Sequence, residues 1–574
     1  MANPPESRPS GQETLVFPQW LREYERPWFR YDLIAGASVA ALVVPKALGY
    51  AGIVGVPIEY GLYAAAAGAL IYALFGSSRQ ISTGPSSALA AVAGGAVVLL
   101  GLTDRAALPL VSWVTVLAGL LFVLLALLRM GWMSQFLSRA VVKGFLIGAA
   151  LEVTVGELPK LTGTAAEGTN TWREFGSWIR SLGDTDLTTL VVGVLSLGVI
   201  LGLRFWARRV PGALVLVVLG ILATRLLGLE IALVGDVPSG LPSLVLPDIA
   251  YLTANLSVIL PAAVGVVLIG FSQSAGDARE FASKHGYRVD INRESVAQGL
   301  ANIGSGMVQG IPVATSLSAS SLNDQSGAKT QMSSLVTGLF VVLTMLFLAP
   351  LFSDLPKAVL AAVIIDAVVF GMIDLPAIRR LFRVQRFDFW IAVAAIVGVL
   401  TFGVLAGVVI GIVLSLVWLV YVSTRPNIVE LGNQPGTQVF GDLASYPEGI
   451  TFPGLLVVRF DGGLFFASAD ALQDQLREVL LDREPPVRTV IIDCGSVNFI
   501  DSQGAEKLRE LHEIAAQQGV ALHLSNLKAE VREVLATDGL LELYGTGRVH
   551  AKTYLAVQAH LDEEAPTGAA ESDS

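Results

Sequence analysis

The stretch from Gly310 to Gln331 reads GIPVATSLSASSLNDQSGAKTQ and lies between apolar runs that are long enough to cross a bilayer. Between Pro312 and Ser321 it carries five hydroxyl side chains and no charge. Non-helical backbone at membrane depth is tolerated only where it is buried in protein or lines a cavity. The stretch therefore indicates a broken membrane span at a functional site.

A second stretch has the same form, because Gln80–Ser87 (QISTGPSS) precedes an alanine-rich helical pattern. Broken spans in corresponding places of two halves are the best sequence pointer to a transporter's midplane site. Two half-helices that face each other would present unpaired N–H groups and positive dipole ends to an anion. Small residues that merely allow close helix packing are the alternative. Two proline-containing strips roughly 230 residues apart favour an anion site within an internal inverted repeat.

Composition predicts a polytopic α-helical membrane protein with an acidic soluble part. Of the 574 residues 53% are hydrophobic and 15% charged, against roughly 25% charged in soluble domains. From Glu430 onward there are 23 acidic and 10 basic residues, net -13, whereas the rest carries 25 acidic and 28 basic, net +3. The acidic part argues against nucleic acid as a partner. The single cysteine, Cys494, excludes an intrachain disulfide.

Apolar spans and half-spans number about fourteen. The count includes a short helix near 374–388, and the region 390–422 could hold one span or two. If the clusters of basic residues face the cytoplasm, both termini also lie in the cytoplasm. The apolar spans make the lipid bilayer of the cell membrane the first expected partner. After residue 431 the pattern changes to a β-α-β-α-β-α order, which indicates a small α/β domain. The expected domains are an N-terminal cytoplasmic segment 1–30, a transmembrane domain 31–425, a linker 426–452, an α/β domain 453–560 and a disordered tail 561–574.

Several motifs spaced along the chain resemble the SulP (sulfate permease) family of anion transporters: Asp32-Leu-Ile-Ala-Gly, Val44-Pro-Lys-Ala-Leu-Gly-Tyr50, Thr83-Gly-Pro-Ser86, Ala301-Asn302-Ile-Gly and Gly327-Ala-Lys-Thr-Gln331. The loop Phe499-Ile-Asp-Ser-Gln-Gly504 is similar to the signature loop of a STAS domain. This resemblance implies fourteen segments in two inverted sevens, with a core domain that moves against a gate domain. It also implies a homodimer in the cell (inner) membrane.

The resemblance, together with the two hydroxyl strips, predicts a substrate site. The predicted substrate-binding residues are Lys46, Tyr50, Ser86, Ser87, Gln273, Thr315, Ser316, Leu317 and Ser318. Three positions depart from the pattern of many members. Lys46 replaces Gln or Glu, Ala319 replaces an arginine, and Gln273 replaces a glutamate that is a plausible carrier of the coupling charge.

Lys46 and Asp277 are the two ionisable candidates. Lys46 is too central in its span to reach the interface easily, and an ionisable group there is by default functional. It could supply the charge that Ala319 lacks, or it could form a structural ion pair with a buried carboxylate. Asp277 follows Gln273 by four residues on the same helical face, so it could exchange H+ or help hold Na+. Alternatively, Asp277 is an interfacial residue that pairs with Arg279.

Ser502 occupies the position at which STAS domains of anti-sigma antagonists carry a phosphorylatable serine, although a hydroxyl that caps the next helix is the preferred interpretation. No glycine-rich phosphate loop, metal-spaced His/Cys cluster or nucleophile–base pair appears, so neither an enzyme nor a metal site or cofactor is expected. The expected function is secondary active transport of small inorganic or carboxylate anions, with a cytoplasmic protein as a second partner at the STAS domain. An uncoupled anion channel and a membrane anion sensor that signals through the STAS domain are the alternatives.

Overall fold

The computed structural model describes residues 19–22, 24–130, 139–168, 170–207, 210–481 and 486–564. They belong to two compact units that divide between Ser415 and Leu416. Most of the predicted N-terminal segment 1–30 and of the predicted disordered tail lies outside the described residues. The last helix continues to Glu564, three residues past the predicted start of that tail at 561.

The first unit is helical, with two three-residue strands, and its last helix continues past Ser415 to Ser423. The strands are β1 (Thr83–Pro85) and β2 (Val313–Thr315). The helices are α1 (Gln19–Arg22), α2 (Phe29–Val54), α3 (Glu59–Phe75), α4 (Ser87–Leu99), α5 (Leu108–Leu127), α6 (Arg139–Thr162), α7 (Thr171–Ser181), α8 (Leu187–Trp206), α9 (Gly212–Leu227), α10 (Ile249–Ala254), α11 (Leu256–His285), α12 (Ile291–Met307), α13 (Leu317–Gln325), α14 (Met332–Leu343), α15 (Lys357–Met372), α16 (Leu375–Val384), α17 (Arg386–Phe402) and α18 (Val404–Ser423).

Six helical stretches of the described residues are long and apolar enough to cross a bilayer unaided, and shorter apolar helices accompany them. The membrane segments are α2, α3, α4, α5, α6, α8 and α9 in the first half and α11, α12, α13, α14, α15, α17 and α18 in the second. The predicted two sets of seven are thereby confirmed. The region 390–422 holds two segments, because Gly403 has a φ of 86° and ends α17. The helix expected near 374–388 is α16, which is too short to cross.

The membrane segments form two bundles. In the core bundle, α12 packs on α5 and α3, and α14 packs on α2 and α3. In the gate bundle, α15 and α17 pack on α6, and α15 also contacts α8 and α9. Contacts of α2 with α15 and α9 join the two bundles. Glycines allow the tightest approach: a Cβ on Gly119 of α5 would lie 2.6 Å from the Gly299 carbonyl oxygen of α12.

Two of the quoted motifs lock the core bundle together. The buried Asp32 carboxylate accepts hydrogen bonds from the backbone N–H groups of Lys329 (2.7 Å) and Thr330 (3.1 Å) and from the Thr330 hydroxyl (2.7 Å). Gln331 donates from Nε2 to the carbonyl oxygens of Ser78 and Ile81. A buried carboxylate is tolerated when it is hydrogen-bonded in this way. These residues therefore serve the fold.

The second unit contains a six-stranded sheet in the order β4-β3-β5-β6-β7-β8. Its strands are β3 (Asn427–Asn433), β4 (Phe440–Asp442), β5 (Leu455–Asp461), β6 (Thr489–Asp493), β7 (Ala521–Ser525) and β8 (Val549–His550). Its helices are α19 (Ala469–Leu481), α20 (Ser502–Gln517), α21 (Ala529–Thr537), α22 (Leu540–Tyr544) and α23 (Thr553–Glu564). The strands from β5 to β8 are parallel, and β3 is antiparallel to both of its neighbours.

Strand alternation gives this sheet a core on each face. Leu456 and Val458 of β5 point towards the larger core with α19, α20, α21 and α22, whereas Leu455 and Val457 pack with α23. One expectation needs correction. The predicted linker 426–452 supplies β3 and β4, because Val429 and Leu431 bury their side chains in the second core. The helical region after β7 is divided into α21 and α22 at Gly539, which has a φ of 76°.

Candidate anion site

The two hydroxyl strips meet as an antiparallel strand pair. Thr83 of β1 lies opposite Thr315 of β2, and Pro85 lies opposite Val313. The half-helices α4 and α13 begin directly after these strands, with Ser86 and Ser316 as their N-cap residues. The proline and the extended pre-proline backbone explain why the strips do not continue as helix. The antiparallel pairing brings two helix N-termini to one place in the core bundle.

One face of α2 completes a cleft at this place. Val43, Lys46, Ala47 and Tyr50 follow the i, i+3, i+4, i+7 spacing of a helix face. They line the cleft, which is narrow. The remaining lining residues come from the strands and the α13 end: Ser82, Gly84, Pro85, Ser316 and Ala319. The lining thus contains one cation and no carboxylate.

Lys46 spans the distance from α2 to the N-terminus of α13. Its Nζ donates a hydrogen bond of 3.0 Å to Oγ of Ser318, and this hydroxyl lies 3.3 Å from Oγ of Ser316. Ser316 accepts a long hydrogen bond of 3.4 Å from the Ala319 N–H. The resemblance led to the expectation of an arginine at position 319. Ala319 directly follows Ser318, the residue that the Lys46 ammonium contacts.

The electrostatics of the cleft favour a negative ligand. The first N–H groups of a helix have no intrahelical acceptor, and each N-terminus carries roughly half an elementary positive charge. α4 has 13 residues and α13 has 9. The two helix ends and the Lys46 ammonium converge here, so the arrangement can hold an anion without a metal ion.

Helix α11 contacts both hydroxyl strips, through the side chains of Gln273 and Asp277. Ser86 donates from Oγ to Oε1 of Gln273 at 3.4 Å, and Thr315 donates from Oγ1 to Oδ2 of Asp277 at 2.9 Å. Within the described part of the chain no ion pair joins Asp277 to Arg279, which is exposed. Asp277 is therefore tied to the end of β2, one residue before the α13 cap.

The other predicted residues fall into three places. Ser87 is the first residue of α4 and interacts with the Tyr50 side chain. Leu317 and Ser318 are exposed at the start of α13, and Leu317 is 45% exposed. Ser502 belongs to the second unit, where it is the exposed first residue of α20. The cap of α20 is Asp501, whose Oδ1 accepts from the Gly504 N–H at 2.8 Å, so the capping role expected of Ser502 is wrong.

Two features of the site were missed at the level of sequence. The strands are held from behind by Asn302, which donates to the Val313 carbonyl oxygen at 2.8 Å and accepts from the Val313 N–H at 3.0 Å. Val43 and Ala47 line the cleft beside Lys46. The helical spacing around Lys46 could have revealed both lining residues, whereas nothing local to Asn302 indicates its partner.

A half-buried ion pair lies on the gate side of Lys46. Arg204 of α8 binds Asp366 of α15 in a bidentate contact, with distances of 2.8 and 2.7 Å, and its guanidinium stacks over the Phe370 ring. The Lys46 ammonium interacts electrostatically with both charges of this pair. Among the described residues, however, no carboxylate lies within ion-pair distance of Lys46. The described residues therefore do not show the structural ion pair that was the alternative for Lys46, and Asp366 pairs with Arg204.

Comparison with known proteins identifies the family of the chain. The family model described as the sulfate permease family matches residues 29–395, and the STAS domain model matches residues 446–559. The chain belongs to the sulfate permease family. Family members are anion transporters, and this one is accordingly a multi-pass membrane protein with a C-terminal STAS domain.

The similarity to other members of the sulfate permease family covers nearly the whole chain. A probable sulfate transporter of Mycobacterium tuberculosis is 33% identical over 543 residues, which cover 94% of this chain and 96% of that protein. The chloroplastic sulfate transporter 4.1 of Arabidopsis thaliana is 31% identical, over 95% of this chain and 82% of that protein.

Solved structures show the same fold at lower identity. Murine Slc26a9, an anion transporter in the inward-facing state, aligns with a TM-score of 0.85 at 21% identity over 97% of this chain and 96% of that chain. The transmembrane domain of the cyanobacterial bicarbonate transporter BicA aligns with a TM-score of 0.59 at 24% identity over 68% of this chain and 98% of that chain. The helical membrane unit and the STAS unit therefore follow an established architecture.

Proposed function

We propose that this protein is a secondary active transporter of small anions that works by alternating access, with sulfate as the first substrate to test. The observation that carries the proposal is the Lys46–Ser318 contact between α2 and the α13 N-terminus at the cleft. The ligand would bind in the core bundle, and the core would then move against the gate bundle. The cell membrane is the proposed location, with both termini in the cytoplasm.

The charge of the site supports sulfate. Two helix ends contribute roughly one positive charge together, and Lys46 adds another, which balances a divalent anion. The similar proteins named as sulfate transporters support the same choice. Backbone N–H groups and hydroxyls recognise charge more than identity, so bicarbonate, chloride and dicarboxylates remain competitors.

The test is uptake of radiolabelled sulfate by the purified protein in liposomes, with the competing anions added in excess. The proposal would be supported if uptake of radiolabelled sulfate is saturable and unlabelled sulfate inhibits it more strongly than the other anions do. Saturable uptake that bicarbonate, chloride or a dicarboxylate inhibits more strongly than sulfate would replace the substrate. Unsaturable conductance would indicate the channel alternative, and anion-dependent partner binding without any flux would indicate the sensor.

We further propose that Asp277 couples transport to H+ or Na+. Its hydrogen bond to Thr315 at the end of β2 supports this, because movement of the half-helix would change the surroundings of the carboxylate. Gln273, at the position of the family glutamate, cannot titrate. No cofactor takes part in this scheme.

The STAS unit is proposed to regulate or assemble a homodimer and to bind a cytoplasmic protein, with exposed Ser502 as a modification site. Its separate cores support an independent role. Because β3 begins at Asn427, the clean truncation removes residues 426–574. We expect lower turnover or expression with an unchanged order of anion preference, measured by the same competition assay. An altered order would place the STAS unit in the transport pathway.

A further inference from the structure

The short helix α16 differs from the membrane segments around it. Its ten residues extend about 15 Å, half the thickness of the hydrocarbon core. Ile373 and Asp374 have non-helical backbone angles and separate α16 from α15. Since the membrane segment α15 precedes it and α17 follows it, α16 lies at a surface of the bilayer.

Four arginines crowd this helix and the start of the next. Arg379, Arg380, Arg383 and Arg386 occupy half of the eight positions from 379 to 386, and all four are exposed. We call these four residues the arginine patch. No acidic residue lies within α16, and Asp374, its N-cap, is neutralised by Lys143 at 2.7 Å. Within the described residues, no hydrogen bond or ion pair uses an arginine of the patch.

The helix is also strongly amphipathic. Arg379, Arg380 and Arg383 lie on one side of the helix, because Arg383 follows the other two by four and three residues. The half-buried side chains of Ile378 and Leu381 lie on the opposite side. Leu375 and Phe382 lie at the border between the two sides, four residues before and three residues after Arg379, and they are 56% and 51% exposed in the protein alone. Exposed apolar side chains therefore adjoin the arginine patch.

Aromatic residues continue the exposed apolar surface towards α17. The Phe389 ring makes edge contacts with the rings of Phe382 (5.1 Å) and Trp390 (5.5 Å). Trp390 is 61% exposed. Tryptophan and other aromatic side chains near a span terminus are typical of the membrane–water interface. The α16 region therefore has the residues of a helix that lies in the interface plane.

We propose that α16 is a docking surface for anionic phospholipid headgroups, with the arginine patch against the phosphates and Leu375 and Phe382 among the first acyl carbons. Basic side chains beside exposed apolar side chains are typical of interfacial helices that bind anionic membranes. Guanidinium groups match phosphate oxygens in charge and in bidentate geometry. Because α16 connects the gate segments α15 and α17, bound lipid would anchor the gate bundle in the membrane.

The experiment counts lipids bound to the full-length protein by native mass spectrometry. Purified protein in detergent is titrated with phosphatidylglycerol or phosphatidylcholine of identical acyl chains. The patch variant is Arg379→Gln/Arg380→Gln/Arg383→Gln. The matched control is Arg26→Gln/Arg279→Gln/Arg288→Gln, which removes three exposed arginines elsewhere.

We expect the wild type to prefer phosphatidylglycerol, and the patch variant to lose at least about tenfold of this preference, because each interfacial arginine contributes several-fold. The control should keep its preference. An Arg-to-Lys triple at the patch should keep most of it, because charge is retained. If the patch variant does not purify as a monodisperse protein, Arg380→Gln alone should lower the preference about fivefold.

Two results would overturn the proposal. One is an unchanged preference in the patch variants, or an equal loss in the control. The other is displacement of the lipid by millimolar inorganic phosphate at constant ionic strength, which would identify a site for free anions.

Discussion

The ammonium nitrogen of Lys46 lies 3.0 Å from the hydroxyl oxygen of Ser318, although the residues are 272 positions apart. The contact connects the middle of α2 to the first turn of α13. It places a full positive charge beside a helix end that already favours anions. The next residue is Ala319, where the resemblance to the family led to the expectation of an arginine.

Replacing Lys46 tests this charge. We expect Lys46→Gln to raise the KM for sulfate roughly 10- to 100-fold, because a hydrogen bond to a charged group contributes about 1.5 to 3 kcal/mol. Ala319→Arg in the same chain should recover part of the affinity. Lys357→Gln, at the exposed start of α15, is the control. Wild-type KM in Lys46→Gln would contradict the assignment.

Asp277→Asn tests coupling. The amide keeps a hydrogen bond with Thr315 but cannot carry the charge, so an imposed proton or sodium gradient should no longer accelerate uptake. Exchange of sulfate for sulfate should continue. The measurement is initial uptake in liposomes with and without each gradient. Equal gradient dependence in wild type and variant would show that the coupling group lies elsewhere.

From the Arg204–Asp366 pair we expect that removing one partner destabilises the protein more than replacing both partners with apolar residues. Asp366→Asn should lower the thermal unfolding midpoint, because it leaves the guanidinium without its partner. The loss should be smaller than the roughly 3 to 5 kcal/mol of a fully buried pair, since Arg204 is 39% exposed. Arg204→Met/Asp366→Leu should be more stable than the single variant. Asp354→Asn, in the more exposed pair with Arg225, should change the midpoint little.

The contact between α5 and α12 tolerates no side chain. Gly119→Ala would place a methyl group 2.6 Å from the Gly299 carbonyl oxygen. We expect a loss of about 1 to 3 kcal/mol, measured as a lower midpoint in a size-exclusion thermal-stability assay. Gly198→Ala in α8 is the matched control, because no atom lies within 4 Å of its added Cβ. Equal midpoints for the two variants would contradict this packing.

The STAS unit should lose stability in acid. His523 is buried in β7, and its Nδ1 lies 3.1 Å from Nε2 of His550. Burial, and then the neighbouring His550, lowers the pKa of His523 to about 4. The unfolded chain, with a pKa near 6.5, therefore takes up a proton that the folded domain does not. Stability is complete above about pH 6.5 and falls by up to roughly 3 kcal/mol as the pH approaches 4.

Urea unfolding of a fragment spanning residues 426–574, followed by circular dichroism between pH 4 and 8, measures this effect. His523→Gln should flatten the dependence between pH 4 and 6.5. His550→Gln should reduce it less, because burial remains the main cause of the His523 shift. A wild-type pH profile in His523→Gln would assign the acid lability to other groups.

The sequence by itself determined the membrane class, the division into a membrane part and an acidic domain, and the two half-helices. These depend on local signals: apolar runs set membrane spans, the Pro-containing hydroxyl strips interrupt helices, and alternation or helical spacing marks buried faces. Lys46 and Asp277 could be singled out because a charge in an apolar run is unusual. Resemblance supplied the two inverted sevens, which no local pattern contains.

Only the tertiary structure decided which groups meet. Lys46 contacts Ser318, Asp277 accepts from Thr315 and not from Arg279, and Arg204 neutralises Asp366. It also showed that the region 426–452 contains two strands and that Ile373 and Asp374 separate α16 from α15. Such contacts join residues distant in sequence, and their distances follow from how whole helices pack. Helical or strand periodicity specifies which side of an element is buried, but it does not specify the element that covers that side.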